Sequence, residues 1–405
     1  MKTEYDIVIV GGGMVGAALA CALGGSRYQI AIIEGQYPDS FETGQPHDLR
    51  VSALSVASET LLKNIGAWEG IVSRRSCPYR RMKVWEAKEA HATLFDAENI
   101  GETHLGHIVE NRVTQLALLE TLKQHSNIDF ICPAKTKQID YSAGSSIVSL
   151  EDGRELVARL LIGADGGESR VRQSAGIGIT KWDYNQQALV ASVTTSYPQQ
   201  DITWQQFTPS GPLAFLPLSG QNASLVWYNT PDQVKRLNAL SDSQFLDALH
   251  QTFPSCLGRI DQLLERGYFP LRRQHAQRYI GEGVALAGDS AHMIHPLAGQ
   301  GVNIGFMDVA MLAEVLLDAQ TQGDRFYSTE TLSQYEQARR NQNLLMMQTM
   351  DAFYHVFSND ILPLKLLRNV GFGLADKLPL DKPHIRRYAM GIEGPIASLA
   401  KRLHV

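Results

Sequence analysis

A short apolar run that breaks into three glycines and then turns helical leaves this chain few folds to choose from. Tyr5-Asp6-Ile7-Val8-Ile9-Val10 reads as a buried strand, Gly11-Gly12-Gly13-Met14-Val15-Gly16 as a tight turn, and Ala17–Leu23 as the helix that follows. A second run, Ile30–Ile33, ends on Glu34, 18 residues after Gly16. In such a unit Gly11 permits the turn, Gly13 lets a pyrophosphate approach the backbone, and Gly16 lets helix and strand pack closely. The acid accepts from a ribose hydroxyl and would repel a 2′-phosphate, so the dinucleotide expected at this motif is not NADP. The plainer alternative is a glycine-rich structural turn.

Residues 285–305 carry a related layout. An apolar run ends at Gly288-Asp289, and after Pro296 a second glycine turn, Gly299-Gln300-Gly301, opens what reads as a helix through Val302 and Asn303. One acid then stands at a strand end and free backbone N–H groups at a helix start, which favours negative charge. A flavin needs both, since its ribityl chain carries hydroxyls and its reduced ring is anionic at the pyrimidine edge. Between these segments, Leu160-Leu161-Ile162-Gly163-Ala164-Asp165-Gly166 again runs from strand into turn, with Ser169 and Arg172 where a helix would start. The bland reading there is a turn followed by a solvated arginine.

In this order and spacing, GxGxxG, Asp-Gly and Gly-Asp, the chain resembles the single-component flavoprotein aromatic hydroxylases. Gly106-His107-Ile108-Val109-Glu110-Asn111, Trp204–Pro209, Ala223–Tyr228 and His295–Asn303 are similar to the ubiquinone-biosynthesis hydroxylases, over nearly the whole chain to about residue 390. Pro78-Tyr79-Arg80-Arg81 and Trp204–Pro212 most resemble the members that act on a demethoxyubiquinol. The resemblance implies an α/β fold: an FAD-binding, Rossmann-like domain of the glutathione-reductase type, interleaved with a mostly antiparallel β-sheet substrate domain and followed by C-terminal helices. It implies FAD, with NADPH or NADH as a transient electron donor and O2 as co-substrate. A flavin hydroperoxide would pass one oxygen to the ring of a polyprenyl quinol or phenol. By the same resemblance Pro296 lies beside the isoalloxazine, Asp289 reaches the ribityl or pyrophosphate region, and Arg50 contacts the phosphate–ribityl portion. For Arg50 the alternative is a surface ion pair with Asp48. Asn111 and Arg112 occupy a flavin-contact segment, with either one making the contact, and Asp165 and the Gly299–Asn303 helix start complete the cofactor set.

The nucleotide-type signals fall in 1–72, 101–180 and 275–345, the expected FAD-binding domain. Segments 73–100 and 181–274 are the expected substrate domain. There Leu189–Val193, Leu213–Leu218 and Ser224–Tyr228 read as strands, separated by turn-rich stretches and flanked by a helix over 241–253. Trp204, Phe207, Phe215 and Trp227 would either line an aromatic pocket or form sheet core. The only other glycine-fingerprint candidate, Gly371-Phe372-Gly373, does not follow a strand run, so nicotinamide would dock transiently. His292 and His295 lie inside the Gly-Asp motif, where packing is favoured over proton transfer. No catalytic side chain is assigned, and Pro296 and His292 are the weak candidates.

The formal charge of −5 gives no reason to expect nucleic acid. Four Cys without CxxC spacing argue against zinc or a disulfide framework, and no metal site is expected. The first strand begins after four residues, which leaves no room for a signal peptide, and no run of 18 apolar residues occurs. A cytoplasmic protein is expected. In the 346–405 helical region, residues 361–405 hold eight Lys/Arg against three acids, +5, so the remainder carries −10. Leu362, Leu364, Leu366, Leu367, Val370 and Phe372 interleave with these cations. Such a segment can lie on anionic lipid at the inner face of the membrane, or dock other enzymes of the pathway. It can equally pack on the body with a solvated cationic face. The competing functional readings are a sister hydroxylase acting on a polyprenylphenol at another ring position, a flavin-dependent isoprenoid reductase, and a non-catalytic flavoprotein that holds an assembly together.

Overall fold

Ile7–Ile9, Ile30–Ile32 and Leu160–Ile162 are apolar at every position and fully buried, as strands covered on both faces must be. In the computed structural model, which describes residues 2–86, 92–254, 258–294, 301–357 and 397–401, they are central strands of an eight-stranded sheet. Its order is Ile280–Gly281, Val284–Leu286, Glu155–Gly163, Lys2–Val10, Ile30–Ile33, Ile128–Ile131, with Ser146–Leu150 and Thr136–Asp140 attached beside Glu155–Gly163. From Val284–Leu286 to Ile128–Ile131 every pairing is parallel. The helix Met14–Ala22 packs against both Asn111–Leu122 and Gly301–Gln322 beside it.

A second eight-stranded sheet runs His292–Met293, Ile260–Ala276, Ile179–Thr195, Asn222–Asn229, Leu213–Pro217, Ile202–Gln206, Arg81–Trp85, Thr93–Asp96. It is antiparallel except where Ile202–Gln206 meets Arg81–Trp85. The expected strands are there with wider bounds, and Ile260–Ala276 adds a 17-residue strand that the sequence does not announce. Much of that strand is exposed, so its charges mask any alternation. The expected helix is Asp242–Thr252, started by a capping box between Ser241 and Gln244. A small antiparallel sheet, Val51–Ser55, Gly106–Glu110, Cys77–Tyr79, lies apart from these two. The chain thus changes sheets between Tyr79 and Arg81, and the helix Thr329–Phe357 runs through residue 345, where a boundary is expected.

The two faces of the second sheet differ. Leu189, Ala191, Val193, Leu225 and Trp227 point one way and bury Phe245 and Leu249 of the helix Asp242–Thr252. Trp204, Phe215 and Trp227 belong to this core, with Trp204 and Phe215 stacked at 5.8 Å, and Phe207 is buried at the end of its strand. Three of the four aromatics are therefore sheet core and not pocket wall. The opposite face carries Val190, Ser192, Ser224, Val226, Gly267 and Phe269, aligned across three strands. The loop Leu49-Arg50 touches that face: a Cβ on Gly267 would stand 2.6 Å from Leu49, and Arg50 stacks over Phe269 at 5.0 Å.

Phe215 is fully buried. Phe215→Ala is expected to lower unfolding free energy by about 3–5 kcal/mol, read by urea denaturation. A loss under about 1 kcal/mol would remove it from the core.

Candidate flavin and active site

Four strand ends line up across the first sheet. Leu286 pairs with Gly163, Gly163 with Val10, and Val10 with Ile33. The turns that follow these strands carry Asp289, Asp165, the glycine motif and Glu34, so segments far apart in sequence converge on one carboxyl edge. In open parallel sheets that edge is where ligands bind.

The glycine motif keeps its helix end free. Gly11 has φ +107°, and a Cβ on Gly16 would stand 1.9 Å from the Gly11 carbonyl oxygen, so neither position accepts a side chain. Gly13 faces open space, with nothing within 4 Å of a Cβ built there, and no side chain caps the helix it starts. Glu34 is anchored by Gly12 N–H, which donates to its Oε2 at 2.7 Å, and Gln36 N–H donates to Oε1 at 3.3 Å. Gln115 donates to the Gly12 carbonyl at 2.9 Å, locking the loop from the helix Asn111–Leu122.

The acids of the other two turns have different surroundings. Asp165 accepts from Arg170 N–H (2.7 Å), Val171 N–H (3.2 Å), the Ser169 hydroxyl, and the Ser290 hydroxyl (3.1 Å), which ties its turn to the neighbouring one. Arg172, for which the bland reading of the sequence is a solvated arginine, is 2% exposed. It donates to the carbonyls of Ser290 and Gly167, both at 2.9 Å, and burial lowers its pKa. Gln274 bridges the same turns through the Gly167 and Asp289 carbonyls. Asp289 is exposed, yet crowding by protein raises its pKa, against the pull of His292 and Arg50. Among the described residues no hydrogen bond ends on its carboxylate.

Below the Gly288-Asp289 turn lies a buried polar network centred on Asp308, which is fully shielded from solvent. Its Oδ2 accepts from His292 Nε2 at 2.5 Å and Gly288 N–H at 3.1 Å. Its Oδ1 accepts from Arg339 Nε and Asn343 Nδ2, both at 3.0 Å. Asn343 also reaches the Tyr279 hydroxyl, which meets His275 Nε2 at 3.0 Å. Burial pushes the Asp308 carboxyl up, but His292, Arg339 and Asn343 outweigh it and hold it down at about 2. His292 is thus committed to supporting the turn, which agrees with a packing role.

The FAD binding domain family matches residues 4–349. The chain is 42% identical over 387 residues to the 3-demethoxyubiquinol 3-hydroxylase of Escherichia coli (strain K12), covering 96% of this chain and 98% of that one. It is 37% identical over 386 residues to ubiquinone hydroxylase UbiL of Rhodospirillum rubrum, covering 95% and 89%. The chain belongs to the FAD-dependent ubiquinone-biosynthesis hydroxylase family. The crystal structure of PqsL from P. aeruginosa has a TM-score of 0.76 at 20% identity, over 88% of this chain and 97% of that one, which shows a shared fold.

As a family member the chain is an FAD-dependent monooxygenase, and its site fits the cofactor. The uncapped helix end and open space at Gly13 suit a pyrophosphate, and the anchored Glu34 and free Asp289 carboxylates suit hydroxyls. Arg50 is not paired with Asp48. Asp48 is held instead by Arg112, whose Nε donates to Oδ2 at 2.8 Å, and that pair raises the Arg112 pKa. Asn111 accepts from the Ser52 hydroxyl at 2.7 Å. Gly301 and Val302 open the helix Gly301–Gln322. Asn303 fastens that helix to the strand Val51–Ser55 and the helix after it, accepting from Ser55 N–H (2.9 Å) and the Ser58 hydroxyl (2.7 Å) and donating to Ala53 O (2.8 Å). Pro296, Gly299 and Gln300, with His295, lie outside the described residues. Sequence reading misses Gln115, Gln274, Asp308, Arg339 and Asn343. Only Gln115 carries a signal, one helical turn beyond Asn111.

Gly13→Asp sets a carboxylate in the open space without a steric clash. The variant is expected to fold with an unchanged melting temperature as apoprotein and to retain no FAD, seen as loss of visible flavin absorbance after purification. Asp308 ionises at lower pH in the folded protein than an unfolded Asp, at about 3.9. Its contribution to stability is therefore present above about pH 4 and lost as pH falls toward about 2. Asp308→Asn leaves Arg339 unpaired. It is expected to cost about 3–5 kcal/mol at neutral pH and to flatten the acid limb of the stability–pH curve, measured by denaturant unfolding across pH.

Proposed function

We propose that this enzyme hydroxylates the ring of a polyprenyl quinol, a demethoxyubiquinol, using O2 and electrons from NADPH or NADH that docks transiently. The observation that carries the reading is the convergence of the three motif turns on one sheet edge with the Asp289 carboxylate left free. The identity with the E. coli 3-demethoxyubiquinol 3-hydroxylase, nearly end to end in both chains, supports the choice of substrate. Bound FAD supplies the activation of oxygen for transfer to an electron-rich ring. The N–H groups at Gly13 and Met14 hold its pyrophosphate, Glu34 a ribose hydroxyl, and Asp289 a ribityl hydroxyl or the pyrophosphate region, with Arg50 alongside. Asn111 borders the flavin, while Asp165 positions the Gly-Asp turn. The helix start at Gly301–Val302 stabilises negative charge at the pyrimidine edge. The first sheet and its helices serve as the cofactor domain and the second sheet as the substrate domain. Val190, Val226 and Phe269 line the wall that keeps water from the reacting ring. No side chain is needed as a strong base, because a hydroquinone is already electron-rich.

Among the described residues no helix is long and apolar enough to cross a membrane. A membrane-dwelling substrate calls for delivery, and the +5 segment 361–405, which lies largely outside the described residues, is the proposed contact with anionic lipid or pathway partners.

Mass spectrometry of quinone intermediates in cells lacking the gene tests the reading. A demethoxyubiquinone is expected to accumulate and to be converted to ubiquinone by the wild-type gene but not by Asp289→Ala. Accumulation of an earlier polyprenylphenol would move the enzyme to a sister ring position. An unchanged quinone pool would refute the pathway.

A further inference from the structure

Away from the flavin edge, three metal-ligating side chains that sequence spacing does not bring together meet in space. Glu59 lies on the helix Val56–Asn64, His107 on the strand Gly106–Glu110, and His104 in the turn before it. Glu59 Oε2 is 2.6 Å from His104 Nε2 and 3.4 Å from His107 Nδ1, and the three ligand atoms all lie within 4.8 Å of one another. The side chains are 5%, 17% and 12% exposed, respectively. His107 Nδ1 is shut off from solvent and, among the described residues, has no hydrogen-bond partner beyond its 3.4 Å approach to Glu59 Oε2, which in a native protein calls for an explanation. The second nitrogen of His104 is engaged by the Thr103 hydroxyl at 2.8 Å, the kind of outer contact that orients a ligating imidazole.

We propose that Glu59, His104 and His107 form a site for a zinc-class divalent cation. Two imidazole nitrogens and one carboxylate oxygen are borderline ligands that suit Zn2+ and not Mg2+. Ligand atoms about 2.0–2.1 Å from a tetrahedral ion stand roughly 3.3 Å apart. The Glu59–His107 separation of 3.4 Å already matches, and the Glu59–His104 pair, at 2.6 Å, has to open by about 0.7 Å. The competing cation is Lys63, whose Nζ sits 2.6 Å from Glu59 Oε1. Lys63 is 52% exposed and free to swing outward, leaving the fourth position to water. The neighbouring residue Ser58 holds Asn303, so an ion here would stiffen the helix that anchors the Gly301–Gln322 helix start.

The test is Zn2+ titration of the full chain by calorimetry, with Mg2+ as control, on the wild type, His104→Gln, His107→Asn and Lys63→Met. One equivalent of Zn2+ and no Mg2+ is expected to bind. Each His variant should weaken binding at least about tenfold, and Lys63→Met should tighten it by removing the competing charge. Zn2+ should also raise the melting temperature of the wild type and not of the His variants. Absence of Zn2+ binding overturns the proposal, and so does binding that persists undiminished in both His variants. Should a His variant fail to fold, Lys63→Met decides alone, and unchanged affinity there also overturns it.

Discussion

A carboxylate fully removed from water is tolerated only when its charge and its lone pairs are all answered. Asp308 meets that condition with one cationic side chain, one imidazole, one amide and one backbone N–H. Those four groups come from the Gly-Asp turn and from the helix Thr329–Phe357, while Asp308 belongs to the helix between them. The Tyr335 hydroxyl, bonded to the Leu286 carbonyl at 2.7 Å, adds a further tie from the same helix to the strand end. The edge where Asp289 stands is rigid because this charge beneath it permits only one arrangement of three elements.

Above that support, the acids at the sheet edge divide the work. Asp165 is saturated by protein donors and joins two turns, Glu34 is anchored but keeps acceptor capacity, and Asp289 accepts from none of the described residues. A carboxylate near a flavin is useful only if its geometry is fixed before the ligand arrives. Here the turns are fixed through their backbone carbonyls, by Arg172 and Gln274.

The legible features were those that a single short segment determines. The glycine spacing, the apolar parallel strands, the acid at the end of Ile30–Ile33 and the helix over 241–253 each depend on neighbours within a few residues. The pairing of Val284–Leu286 with Glu155–Gly163 was not legible in the same way, because nothing local names a partner 120 residues away. Arg172 read as a solvated cation because its acceptors are carbonyls, which have no sequence signature. Asp308, Arg339 and Asn343 look like ordinary polar positions on long helices and become a network only when those helices pack. Trp204 and Trp227 suited either a pocket or a core until the sheet showed which face they shared. The Glu59–His104–His107 cluster escaped for the same reason, since one ligand comes from a helix, one from a strand and one from the turn before that strand.

The parallel strand order also fixes when this edge can exist. The glycine motif is complete once residue 16 is made, but its turn is walled by Ala164 and its neighbouring strand end is capped by the turn at Gly288. At about 5–20 residues per second, the ribosome needs on the order of a quarter to a full minute between the first motif and the last. During that interval the strand Lys2–Val10 gains its parallel partners Ile30–Ile33 and Glu155–Gly163, while Glu155–Gly163 still lacks its own outer partner, Val284–Leu286. The interleaving that builds the cofactor cleft therefore means that FAD can stabilise only a molecule whose synthesis is nearly finished.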